Sequence, residues 1–205
     1  MAKVHPNTTP AASAEETPGA SVVRKEDGGA VSLTVWRKSL LFGCSGFTVF
    51  DSKGDLVFRV DVYGSAAGAL VLMDSCGNPL LTLRRKKLSL GATWLIFDGE
   101  DTVDPVYSVK RQVSLRHGGA LAHMKPRRLQ GRVGVGGGGY EIKGSYARRS
   151  CRVYDEGRRA VAEVRRKEPA GGAALGGDVF RLVVESDFDA CLAMAVVILL
   201  DQMFG

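Results

Sequence analysis

Ala190-Cys191-Leu192-Ala193-Met194-Ala195-Val196-Val197-Ile198-Leu199-Leu200 is an unbroken run of eleven apolar residues near the end of a 205-residue chain. The run reads as a helix, with Ser186 or Asp187 as the predicted N-cap. A surface helix carries polar residues on one face; this segment has none, so water suits no side of it. A bilayer or a protein core are the two environments left. At about 1.5 Å per residue the run spans roughly 16 Å, half of a ~30 Å hydrocarbon layer. Asp187, Asp189 and Asp201 flank it closely, and charge inside lipid is costly. The helix is therefore expected in a core, surrounded by strands of its own chain. Burying about eight large side chains at ~1.5–3 kcal/mol each would make it a main source of stability.

The preceding chain supplies strands. Val31, Leu33 and Val35 alternate with Ser32, Thr34 and Trp36, the period of two expected of a strand. Phe47–Phe50, the turn Asp51-Ser52-Lys53-Gly54 and the alternating Leu56–Tyr63 make the clearest hairpin. The same pattern recurs at Leu72–Leu83, around Asp74 and Gly77. It recurs again at Val153–Val164 around Asp155 and Gly157, where the turn reads one residue shorter. In each, the Asp side chain can bond the turn backbone and the Gly can take positive φ. Repeated hairpins point to a sandwich or a barrel, because closure removes exposed edges. Further strands are expected at Thr93–Phe97, Pro105–Lys110, Tyr140–Tyr146 and Val179–Val184. Residues 112–139, rich in Gly and Arg, and residues 168–178 read as long mobile loops. Residues 1–30 show no apolar periodicity and read as a disordered leader before a single domain at 31–205.

Composition narrows the class. Hydrophobic residues at 45% and charged residues at 24% are those of a globular domain, which excludes wholesale disorder. No signal peptide is read in residues 1–30. The cysteines Cys44, Cys76, Cys151 and Cys191 are accordingly read as reduced thiols, mostly small core residues. The formal charge of +6 is unevenly spread. Setting aside three basic and four acidic residues in 1–30 and three Asp in 186–205 leaves 25 basic against 15 acidic residues between. That excess suits an anionic partner.

At this point the sequence resembles a known family. Leu41-Phe42-Gly43, Gly46-Phe47-Thr48-Val49-Phe50-Asp51, Gly54 and Phe58-Arg59-Val60-Asp61 resemble the opening of the plant LURP-one-related family. Leu72-Met73-Asp74 with Gly77-Asn78-Pro79-Leu80-Leu81-Thr82-Leu83-Arg84-Arg85-Lys86 resembles its next hairpin. Ala193 to Gln202 resembles its closing helix. The likeness covers about residues 31–111 and 140–205. It implies a fold similar to the tubby C-terminal domain and the phospholipid scramblases: a closed antiparallel β-barrel of about twelve strands around a central hydrophobic C-terminal helix. It also implies an association with plant defence, without a defined biochemical activity. Tubby relatives bind phosphoinositides and are viewed as membrane-tethered transcription regulators; none of their binding residues is carried over to this chain.

Catalytic chemistry finds little support in the residues. His5, His117 and His123 fall in the leader or in predicted loops, and no His pair has metal-binding helical spacing. Gly43-Cys44-Ser45-Gly46 does not match a nucleophile elbow, and Cys44 with a distant His117 is better read as a strand-end cysteine. Gly134–Gly139 satisfies G-x-G-x-x-G but precedes a predicted strand rather than a helix. Glu100, Asp101 and Asp104 read as a solvated loop. No enzyme, cofactor or metal is expected.

The basic clusters carry the functional expectation. They are Arg84, Arg85, Lys86 and Lys87; Arg148, Arg149 and Arg152; and Arg165, Arg166 and Lys167. The first and third close equivalent hairpins and are expected at similar ends of the barrel. Convergence would make an anion site for a phosphoinositide headgroup or an anionic membrane, at about 1 kcal/mol per basic residue. The alternative is edge-protecting charge at strand ends. A non-enzymatic, monomeric binding or adaptor protein is expected, cytoplasmic, peripheral at a membrane or nuclear, with no transmembrane segment. Nucleic acid is a weaker partner reading, through Lys125, Arg127, Arg128 and Arg132, where aromatics for base stacking are sparse. A scramblase-like membrane role would require Ala190–Leu200 to enter lipid.

Overall fold

A computed structural model of the chain describes residues 29–41, 45–62, 68–87, 92–112, 119–127, 138–167 and 176–205. The strands are β1 (Val31–Trp36), β2 (Ser45–Phe50), β3 (Leu56–Val62), β4 (Ala69–Asp74), β5 (Pro79–Arg85) and β6 (Thr93–Asp98), then β7 (Tyr107–Arg111), β8 (Ala120–Pro126), β9 (Tyr140–Ser145), β10 (Ser150–Tyr154), β11 (Ala160–Arg166) and β12 (Val179–Val184). A single helix, α1 (Ala190–Phe204), follows. Each strand pairs antiparallel with its sequence neighbours, and β1 pairs with β12 from Val31↔Val184 to Trp36↔Val179. The sheet is a closed twelve-strand barrel, so it has no free edge.

Alternation decides what fills the barrel. Leu33 and Val35 of β1, Phe58 and Val60 of β3, Leu83 of β5 and Phe180 of β12 are fully enclosed. They form one cluster with α1, whose residues Leu192 to Leu200 and Met203 are buried. The apolar run thus lies inside strands of its own chain. At 1.5 Å per residue the helix is about 22 Å long, enough to thread the barrel from end to end. Close strand packing requires the glycine at position 46, where a Cβ would stand 1.9 Å from the Val60 carbonyl oxygen.

Several local expectations change. The N-cap is Asp189, not Ser186 or Asp187: its carboxylate accepts from Cys191 N at 2.7 Å. Residues 185–188 instead form a turn, closed by Phe188 N to Glu185 O, that packs the Phe188 ring 5.2 Å from Tyr140. The predicted loop 112–139 contains β8, which pairs with β7 and β9. Alanine-rich Ala120-Leu121-Ala122-His123-Met124 has weak strand propensity, and pairing on both sides overrides it; Ala122 and Met124 fill the core. His123 therefore lies on a strand. Residues 113–118 and 128–137 of that stretch, 168–175 of the second predicted loop, and 1–28 of the leader lie outside the described residues.

The three repeated hairpins are the same length. Asp51, Asp74 and Asp155 each accept, through Oδ1, the backbone N–H four residues on, at 2.8–2.9 Å. Each turn's fourth residue has positive φ: Gly54 at 89°, Gly77 at 92° and Arg158 at 61°. The third turn is not one residue shorter. Gly157 sits one place early, and an arginine takes the left-handed position. A bulge precedes the Asp in all three, at Val49/Phe50, Leu72/Met73 and Val153/Tyr154.

Candidate functional site

The up-and-down order sends every odd strand toward one end of the barrel, here the upper rim, and every even strand toward the lower rim. Arg84 to Lys87 end β5, Arg148 and Arg149 lie between β9 and β10, and Arg165 to Lys167 end β11. All three basic clusters therefore reach the upper rim. Arg37 and Lys38 after β1, and Lys110 and Arg111 ending β7, join them there. The lower rim carries the turn carboxylates Asp51, Asp74 and Asp155, the exposed Glu100, Asp101 and Asp104, and Asp187 and Asp189 before the helix. The barrel is thus polarised, basic above and acidic below.

The β5 cluster shares a rim with the other two but stands across the ring from them. β5 and β11 are six strands apart in either direction round the ring. With strands about 4.8 Å apart and tilted about 40°, such a ring is roughly 24 Å across. No single headgroup spans that distance. The mouth between them holds the end of α1, where the Arg111 guanidinium lies 4.5 Å from the Phe204 ring centroid.

The predicted site residues have different local fates. Arg85, Lys86, Lys87, Arg148 and Arg166 are exposed, Arg84 is half-buried, and none of these has an ion-pair partner among the described residues. Arg85 pairs with the inward-facing Trp94, and Arg166 with the inward-facing Phe180, so both lie in the lumen-facing phase at the mouth. Arg152 and Arg165 both bind Glu163 on the outer wall. Burial alone would raise the Glu163 carboxyl, but the hydrogen bonds from Arg165 and Arg152 outweigh it and hold the group below its ordinary value. Those two arginines are therefore largely neutralised. Lys167 Nζ reaches Thr34 Oγ1 at 3.4 Å.

Arg149 is buried and belongs to the scaffold. Its guanidinium stacks on Tyr146 at 4.2 Å and on Phe180 at 4.5 Å, and Nε donates to the Gly177 carbonyl at 2.9 Å. Nη1 is buried without a hydrogen-bond partner among the described residues; the two ring faces supply its favourable electrostatics. Beside it, Asp201 in the last turns of α1 accepts from Arg37 Nε at 2.9 Å and from the Tyr146 hydroxyl at 3.1 Å. Burial and the Asp201 carboxylate push the Tyr146 hydroxyl well up. Sequence reading missed this network. The available signal was an Asp at a helix C-terminus, where the dipole disfavours negative charge and a cation must compensate.

Catalytic features are sparse. Cys44 and His117 lie outside the described residues. Burial pushes the Cys151 thiol up to about 11, and burial with Asp189 pushes Cys191 up to about 12, so neither is an activated thiolate. Among the described residues no cluster of His, Cys, Asp or Glu could hold a metal ion. Gly139 N donates to Glu156 Oε1 at 2.8 Å, and strand β9 follows the glycine run directly.

The sequence matches the LURP-one-related family over residues 31–201. The chain belongs to the LURP-one-related family. Arabidopsis thaliana LURP-one-related 8 is 48% identical over 182 residues, covering 85% of this chain and 88% of that one. Arabidopsis LURP-one-related 17 is 41% identical over 201 residues, covering 90% and 89%. The X-ray structure of an Arabidopsis thaliana protein superposes with a TM-score of 0.60 at 26% identity, covering 85% of this chain and 91% of that one. The barrel with its threaded helix is thus a fold that this LURP-one-related chain shares with a solved plant protein.

Proposed function

We propose that this LURP-one-related protein is a non-enzymatic, intracellular binding protein that docks its upper rim end-on against an anionic lipid surface. The supporting observation is that the basic clusters reach one rim, the β5 cluster standing across the ring from the adjoining β9–β10 and β11 clusters, at a distance too wide for one headgroup. A plane of many phosphates can meet them together, each exposed Lys or Arg contributing about 1 kcal/mol near the surface. The defence-associated setting comes from the family resemblance alone.

Two other readings fit the geometry less well. A scramblase-like role needs α1 in lipid, whereas its apolar residues pack inside the barrel. Among the described residues no helix is long and apolar enough to cross a membrane. Nucleic-acid binding would combine the clusters with the 125–132 stretch. Lys125 and Arg127 lie at the lower rim, away from the clusters, and Arg128 and Arg132 lie outside the described residues.

Vesicle co-sedimentation tests the proposal. Binding to phosphatidylserine-containing vesicles should exceed binding to phosphatidylcholine and weaken as salt rises. Replacing Arg84, Arg85, Lys86 and Lys87 by Gln should lower affinity by roughly two orders of magnitude or more, at about 1 kcal/mol per charge. Equal binding to neutral vesicles, or an unchanged affinity in the variant, would overturn it.

A further inference from the structure

Trp36 and Leu40 stand out on the upper rim. They are 41% and 53% exposed, and Val103, on the opposite side of the molecule, is the other large hydrophobic so exposed among the described residues. Their neighbours Leu33 and Val35 are completely buried. Trp36 follows the outward phase of β1 and pairs with Thr48 and Val179, so no part of the barrel's own core requires an indole there.

Lysine and arginine side chains border the corner, together with one exposed carboxylate, Asp178, which pairs with Arg37. Lys38 Nζ lies 5.2 Å from the Trp36 ring centroid. Lys167 reaches across from the end of β11 to Thr34, two residues before Trp36, and Arg181 pairs with the same threonine. An amphipathic ring and an aliphatic side chain framed by lysine and arginine suit the boundary of an anionic bilayer. Indoles settle at the headgroup level, and the cations meet lipid phosphates. A neutral protein partner would not call for the cations, and a dissolved anion would not call for the indole.

We propose that the Trp36–Leu40 corner inserts into the interfacial layer of an anionic bilayer when the upper rim docks. This rests on the lipid-docking reading and adds to it a hydrophobic contact and a tilt: the β1 and β11 side enters, and the Arg84–Lys87 side rests on the headgroups.

Intrinsic fluorescence of the full chain tests this, because its two tryptophans differ: Trp36 is exposed and Trp94 is only 7% exposed. Adding phosphatidylserine-containing vesicles should shift the emission to the blue, and lipids brominated near the glycerol backbone should quench it. Trp36→Phe should abolish both responses. Trp36→Ser with Leu40→Ser should weaken vesicle binding roughly ten- to hundredfold, whereas Val103→Ser should not change it. Circular dichroism confirms that each variant folds. If the protein pellets with vesicles but Trp36 emission stays unshifted and unquenched, insertion is overturned and rim docking survives. If it does not pellet at all, both fall together.

Discussion

Arg37 Nε donates to the Asp201 carboxylate at 2.9 Å, tying the end of the first strand to the last turns of the helix that fills the barrel. The same oxygen accepts the Tyr146 hydroxyl. Three elements far apart in sequence therefore meet on one carboxylate at the basic rim. Without these donors, Asp201 would be a negative charge at the negative end of a helix dipole.

Asp201→Ala should cost about 1.5–3 kcal/mol, the scale of hydrogen bonds to a charged group, because the buried Tyr146 hydroxyl loses its acceptor. Arg37→Ala should cost at least as much, because it leaves the Asp201 carboxylate, only 9% exposed, without its cation at the negative end of the helix dipole. Urea denaturation of both single variants and the double variant measures this. The double variant should fall short of additivity.

Arg158 holds a left-handed conformation that Gly54 and Gly77 hold in the equivalent turns. A non-glycine residue there is strained by roughly 1–2 kcal/mol, partly offset by the extra unfolded-state entropy of glycine. Arg158→Gly should therefore raise stability by about 0.5–1 kcal/mol, and Gly77→Ala should lower it by a similar amount. Opposite shifts in thermal midpoint would bear this out.

Stability should fall at alkaline pH. Tyr146, Cys151 and Cys191 all have raised values in the folded protein. Their protonated forms favour folding fully below the ordinary values of 9.0 for thiols and 10.0 for tyrosine, and that preference is lost as pH rises beyond them. Tyr146→Phe should cost about 1 kcal/mol near neutrality but flatten the loss above pH 10. On the acid side, Asp74 and Glu163 are held below their ordinary values. In each, hydrogen bonds outweigh the burial that would raise it. Their contribution is present above about pH 4 and disappears as pH falls through the lowered values.

Thiol labelling should separate the cysteines. Cys76 is exposed at the tip between β4 and β5, whereas Cys151 is buried and Cys191 is half-buried with a raised value. At pH 7.5 an alkylating reagent should modify Cys76 rapidly and leave Cys151 and Cys191 unmodified until the chain unfolds. Peptide mass spectrometry reports each site.

The parts readable in the sequence were those set by short-range pattern. An all-apolar stretch too short for a bilayer required a proteinaceous shell, and alternation with Asp-turn hairpins supplied it. What escaped depended on contacts across the barrel. β8 is alanine-rich and becomes a strand because two neighbours pair with it. Arg149 looked like one more surface cation until Tyr146 and Phe180 closed over it. Arg152 and Arg165, ten or more positions apart, share one glutamate only because β10 and β11 place them side by side. The placement of the clusters on one rim follows from strand parity. Their spacing across the mouth required the closed ring.

End-on docking by the basic rim is tested most directly by a fluorophore placed at one end of the barrel or the other. With Cys44 replaced by serine, one variant keeps Cys76, at the lower rim, and a second replaces Cys76 by serine and carries Arg148→Cys at the upper rim. With phosphatidylserine vesicles containing a headgroup quencher, the label at 148 should be quenched on binding and the label at 76 should not. Equal quenching at both ends, or quenching at 76 alone, would contradict a basic rim that faces the lipid.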